Sequence, residues 1–154
     1  MRKILLAVPF IAALAALVAV GIAVSAAGPA STAGVQPAEV DMNVANACEG
    51  GRKVDTGGVY DLSFGTFTMH LTITVTPNAV GGPSIAFQSA DPGELVTTMY
   101  VKGGPTANLY SYGTGVQSDS NLHAPVNPNG NQGPTGVKFY GLSHLCIFAD
   151  KHSA

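Results

Sequence analysis

Residues 66–76 read TFTMHLTITVT, with Phe67, Met69, Leu71, Ile73 and Val75 alternating without a miss against Thr66, Thr68, His70, Thr72, Thr74 and Thr76. Successive side chains of a strand point to opposite faces, so this period of two predicts a β-strand with one apolar face on a core and a threonine-rich face toward solvent. His70 falls on the polar face, where an exposed strand histidine is the plainer reading than a ligand. Shorter apolar runs at 59–64, 84–88, 95–102, 107–112, 137–140 and 143–149 also read as strands, separated by PNAVGGP, DPGE and KGGPT. In the DPGE segment, Pro92 and Gly93 hold the two central positions of a type II turn. About seven strands at this spacing, with no helical periodicity of comparable length, predict an all-β fold. The expected architecture is an antiparallel β-sandwich, Ig-like or jelly-roll-like, over residues 39–154. Residues 39–48 leave room for a short turn of helix.

One stretch breaks the rhythm. Residues 113–136 (GTGVQSDSNLHAPVNPNGNQGPTG) form a run of 24 glycines, asparagines, serines, prolines and their like. This is longer than ordinary connections in compact domains, and an irregular loop of that size is usually functional or disordered.

The N-terminus carries a different pattern. Arg2 and Lys3 precede an uncharged run from Ile4 to Val24, followed by the small residues Ser25, Ala26 and Ala27. That order is the n-region, h-region and cleavage site of a secretory signal peptide, expected to comprise residues 1–26. The alternative is an uncleaved anchor formed by residues 4–24, long enough to span a bilayer. Either way the remainder is exported, to a secreted or extracellular location. Residues 27–38 (AGPASTAGVQPA) are small and uncharged, as suits a flexible leader.

Composition narrows the function classes. The 154 residues make one domain, and 19 Gly with 10 Pro fit a turn-rich sheet protein. Seven Lys and Arg stand against nine Asp and Glu. Removal of residues 1–26 leaves five basic residues against the same nine acidic ones, a net of −4. No basic surface for nucleic acid or anionic membrane is expected, so any membrane contact would run through the N-terminal segment. Cys48 and Cys146 are the only cysteines; in an exported chain with no CxxC spacing they read as one disulfide.

Three blocks, VKGGPTANLYSY (101–112), SDSNLHAPVNP (118–128) and YGLSHLCIFAD (140–150), occur in an order that resembles a family of uncharacterised exported bacterial proteins. In that family an aromatic residue usually precedes the cysteine; here Leu145 takes that place and Phe148 lies beyond it. The resemblance implies a secreted, one-disulfide, β-rich domain of the kind found on surface proteins. It brings no catalytic residues.

Several constellations could carry chemistry. Asp119, His123 and His144 offer a carboxylate and two imidazoles, the donor set of a metal-dependent hydrolase. His144 shares a strand face with Cys146 and is expected to point at the core. Ser143, His144 and Asp150 suggest a nucleophilic triad, but neighbours on a strand face opposite ways, so Ser143 and His144 are not expected to meet. Ser118, Asp119, Ser120 and Asn121 hold too few carboxylates for a calcium site. Gly103-Gly104-Pro105 lacks the GK[ST] of a phosphate loop and reads as a strand breaker. Asn108, Tyr110 and Tyr112, with Tyr140, Asp119 and His123 near the long loop, are expected to form a binding surface. The reading is a non-enzymatic extracellular binding or structural module without a cofactor, whose partner is an extracellular protein or a glycan.

Overall fold

The computed structural model describes residues 28–41, 48–79, 81–130 and 138–152. The expected signal segment, and residues 42–47 of the expected helical turn, lie outside them. Among the described residues nine strands form: β1 (Ala38–Asp41), β2 (Arg52–Val54), β3 (Gly58–Phe64), β4 (Phe67–Ala79), β5 (Gly82–Ser89), β6 (Glu94–Gly103), β7 (Thr106–Val116), β8 (Ser118–Leu122) and β9 (His144–Lys151). They build two antiparallel sheets, a five-stranded one in the order β1-β7-β6-β9-β2 and a four-stranded one in the order β3-β4-β5-β8. Neither sheet closes on itself, and the two pack face to face as a sandwich.

The core follows from alternation. Met69, Leu71 and Ile73 of β4 are buried against Ile85 and Phe87 of β5 on one side and Val96, Met99, Val101, Leu145 and Ile147 of the other sheet on the opposite side. Each such side chain contributes roughly 1.5–3 kcal/mol on leaving water. Val96 and Met99 are an odd number of residues apart yet both point inward. The register explains this: Val96 opposes Ala149 while Thr98 opposes Phe148, so Thr97 is the extra residue of a β-bulge. The turn between β5 and β6 has Gly93 at φ +84° and the Glu94 N–H donating to Asp91 O at 3.3 Å, as the DPGE sequence predicts.

A second, smaller apolar cluster lies on the outer face of the five-stranded sheet. Ala107 and Cys146 are buried there with Val40, Cys48, Tyr100 and Phe148 around them. Cys48 and Cys146 are joined by a disulfide with a Cα–Cα distance of 5.2 Å across 98 positions. The link ties the segment before β2 to an inner strand of the sheet.

Four sequence expectations change. The expected loop at 113–136 is partly sheet: β7 runs on to Val116 and β8 pairs with β5 through Phe87↔Asp119 and Gln88↔Ser118. Irregular chain begins only at His123, and of the expected strand at 137–140 the described residues 138–140 contribute one isolated bridge, Val126↔Phe139, in place of a ladder. Residues 39–41, placed in a possible helical turn, belong to β1, which pairs with β7. Residues 28–37, expected as a flexible leader, form an ordered strap along the edge of β8. Thr32 N donates to Ser120 O at 2.9 Å, Ala33 N to Asp119 Oδ1 at 2.8 Å, and Asn121 Nδ2 to Ala30 O at 3.0 Å. Val35 packs on the core and Ser31 is buried. The strap covers backbone groups that an edge strand would otherwise leave open to pairing with another chain.

Candidate functional site

The residues expected to form an exposed surface are instead interior. Asn108, Tyr110 and Tyr112 do share one face of β7, as alternation requires, but that face looks into the sandwich and all three are buried. Asp119 and His123 are buried as well. These five residues therefore form no exposed binding surface. The polar groups of Asn108 and Tyr110 are met by the backbone of His123. Asn108 Nδ2 donates to His123 O at 2.9 Å, Tyr110 Oη donates to the same oxygen at 3.3 Å, and His123 N donates to Tyr110 Oη at 2.9 Å. Buried donors and acceptors satisfied in this way add specificity rather than a binding site. Burial pushes the Tyr110 phenol up to about 12. Tyr112 is also raised, by burial first and then by the charge of the Asp119 carboxylate beside it.

The His123 ring is equally committed. Nδ1 lies 3.0 Å from Pro83 O, Nε2 lies 3.0 Å from Asn121 Oδ1, and the ring stacks on Phe139 with centroids 4.1 Å apart. Burial holds its pKa below the usual histidine value against the raising effect of the Pro83 carbonyl. Asn121, at φ +60°, occupies a left-handed conformation that asparagine tolerates well, and its amide links the ring to the strap.

Asp119, His123 and His144 do not come together as a metal site: no ligand atoms of that trio cluster within 4.8 Å of one another. His144 lies on β9 opposite Lys102 in the five-stranded sheet, whereas Asp119 lies on the outermost strand of the other. His144 also corrects the expectation that it points at the core. Leu145 and Ile147 take the core side of β9, so His144 and Cys146 take its outer face. Burial, Lys53 and Lys102 lower its pKa. Ser143 and His144 do meet, with Ser143 Oγ 3.3 Å from His144 Nδ1. Ser143 precedes the strand, so strand alternation does not govern its side chain. Asp150 sits near the far end of the same strand, about 20 Å away at the rise of an extended chain, and the triad does not form.

A groove that none of these expectations named lies on the outer face of the four-stranded sheet. Register sets its floor: Thr72 opposes Gln88, Thr74 opposes Ala86, and Gln88 opposes Ser118. Thr32 and Ala33 of the strap form one wall, with Thr32 Oγ1 2.7 Å from Ser120 Oγ. The space is about 460 Å³ and is bordered mainly by hydroxyls, one primary amide and small side chains. Asp119 borders it too, but its Oδ1 is engaged by Ala33 N and Ser120 N, each at 2.8 Å. The threonine alternation marked the floor in the sequence. The wall comes from residues about 40 positions upstream, in a segment with no side-chain pattern.

No protein family, curated protein or solved structure matches the chain. Fold and groove together define a disulfide-linked antiparallel β-sandwich with a polar, hydroxyl-lined trough on one sheet.

Proposed function

We propose that this chain is an exported β-sandwich binding module, acting outside the cell without catalysis, and that its ligand is a neutral, hydroxyl-rich chain such as a glycan. The groove carries this reading. Thr72, Thr74, Ser118, Ser120 and Thr32 offer hydroxyls that both donate and accept, and Gln88 adds an amide, the mixture that matches sugar hydroxyls in either direction. A nucleic acid or other polyanion is disfavoured, since no Lys or Arg borders the space. A groove open to solvent suits a polymer better than an enclosed small molecule. The Cys48–Cys146 disulfide supports an oxidising compartment, and the charge-flanked apolar run at residues 4–24 supports export. The resemblance of the 101–150 region to exported bacterial proteins points the same way.

A glycan array probed with protein recovered outside the producing cells tests the proposal. Binding is expected to be weakened by Gln88→Ala and abolished by Thr74→Tyr, which fills the floor from an exposed position. Binding that persists in both variants, or no glycan bound by the wild type, refutes the groove as the site. N-terminal sequencing of the same material tests export, with a start near Ala27 expected.

A further inference from the structure

One end of the sandwich carries an ionisable cluster separate from the groove. His70 lies on the outer face of β4. Its Nδ1 is 2.8 Å from Asp91 Oδ2, and its Nε2 is 3.7 Å from Asp61 Oδ1. Asp61 is brought there by the β3–β4 register, which places it opposite His70. Asp91 is brought there by the turn after β5, where Ala90 N donates to His70 O at 2.9 Å. Glu94 opens β6 just beyond that turn. One ring nitrogen of His70, one carboxylate oxygen of Asp91 and one of Glu94 all lie within 4.8 Å of one another.

Glu94 is the unusual member. It is 3% exposed, and its Oε1 accepts from Lys151 Nζ at 3.1 Å. Its Oε2 is buried with no hydrogen-bond partner. A buried carboxylate oxygen without a donor is unfavourable, and its neighbours do not relieve it: Asp61, Asp91 and Glu94 converge on one imidazole with Lys151 as the cation paired to Glu94. With a neutral imidazole, the three carboxylates and one ammonium carry a formal −2, the charge that a divalent ion cancels.

We propose that His70, Asp91 and Glu94 form a binding site for a first-row divalent cation, with zinc the best match. One imidazole nitrogen with two carboxylate oxygens is a donor set for such ions, whereas calcium takes six to eight oxygens. Zinc places nitrogen and oxygen ligands about 2.0–2.2 Å from the ion, so donor atoms of a tetrahedral site stand roughly 3.5 Å apart. The cluster closes to that spacing by side-chain rotation alone, because His70 and Asp91 are about half exposed. Nδ1, on the Asp91 side, is the ligating nitrogen. Nε2–H then points toward Asp61, which orients the ring and makes it a better ligand. Solvent completes the coordination. The other grouping of potential ligands among the described residues, Cys48, His144 and Cys146, is unsuited, since its two sulfurs are bonded to each other.

Calorimetric titration of the metal-stripped full chain with zinc chloride tests the site. One equivalent is expected to bind, with affinity falling at least about ten-fold in His70→Gln and in Asp91→Asn. Both positions are exposed enough for the variants to fold. His152, whose backbone N donates to Gly93 O at 2.9 Å, lies nearby, so His152→Ala is expected to retain the wild-type affinity. In NMR spectra the His70 ring signals are expected to move with the first equivalent. Absence of saturable binding below millimolar zinc overturns the proposal. So does wild-type affinity in His70→Gln and Asp91→Asn, or loss of the site in His152→Ala alone.

Discussion

Asp119→Ala isolates the contribution of the strap. In the wild type the Asp119 side chain is 6% exposed, and one of its oxygens accepts two backbone N–H groups, from Ala33 and from Ser120, both at 2.8 Å. Hydrogen bonds to a charged acceptor contribute about 1.5–3 kcal/mol each. The Ser120 bond is local and partly regained through water, and the Ala33 amide is solvated once the strap lifts, so the net loss is expected to be about 2–4 kcal/mol. Urea denaturation measures that loss, and amide hydrogen exchange locates it. The Thr32 amide, which donates to Ser120 O, is expected to exchange near the free-chain rate in the variant. Amides of the β6–β9 ladder should lose only the protection that the global change dictates. Asp119→Asn keeps an acceptor of the same shape without the charge and is expected to cost roughly half as much. Unchanged Thr32 protection in Asp119→Ala, or a loss below about 1 kcal/mol, would refute the idea that this carboxylate holds the strap.

Further outcomes are expected. Replacing Cys48 and Cys146 by alanine frees a loop of 98 positions in the unfolded chain, so stability should fall by about 4.7 kcal/mol in the chain-entropy limit and Tm by some 15 °C, read by calorimetry. Tyr110→Phe leaves the buried His123 N–H without its acceptor and is expected to cost about 1–3 kcal/mol in urea denaturation. In NMR titrations of metal-free protein the His70 ring should titrate above the usual value of 6.5, chiefly through its bond to Asp91, and the His123 and His144 rings below it through burial. His70 therefore stabilises the fold fully below pH 6.5 and loses that contribution as the pH rises through its folded pKa. His123 and His144 act with the opposite sign, since stability falls as the pH drops from 6.5 through their folded pKa values. In denaturation at pH 5.5 and pH 8, His70→Gln should thus raise the stability at pH 8 relative to that at pH 5.5 when compared with the wild type.

Much of the sandwich was legible because alternation is a local signal. Phe67 to Val75, the DPGE turn and the common face of Asn108, Tyr110 and Tyr112 follow from neighbouring residues alone. Which side that last face takes was not legible. Asparagine and tyrosine read as solvent-facing until a backbone crosses above them, and the crossing chain is His123, 13 to 15 positions away in an aperiodic segment. Ser118–Leu122 reads as loop because it is an edge strand whose one apolar residue, Leu122, turns inward. The strap is held by backbone donors, a single carboxylate, a single amide and one hydroxyl pair, and such an attachment leaves no periodicity in AGPASTAGVQPA. The groove and the His70 cluster depend on pairings between distant segments. The polar face of β4 was legible as a solvent face, but not which residues would stand opposite.

The position of β9 has a consequence for how the molecule is made. This strand, near the C-terminus, lies between β6 and β2, and it supplies the partner for Cys48. Until it has been synthesised, β2 has no neighbour in its sheet and the five-stranded layer cannot close. Before β9 follows, that sheet holds only β1, β7 and β6, and Cys48 has no partner among the preceding residues. Completion of the five-stranded sheet and formation of the disulfide are thus a single event, both set by the arrival of β9 beside β6.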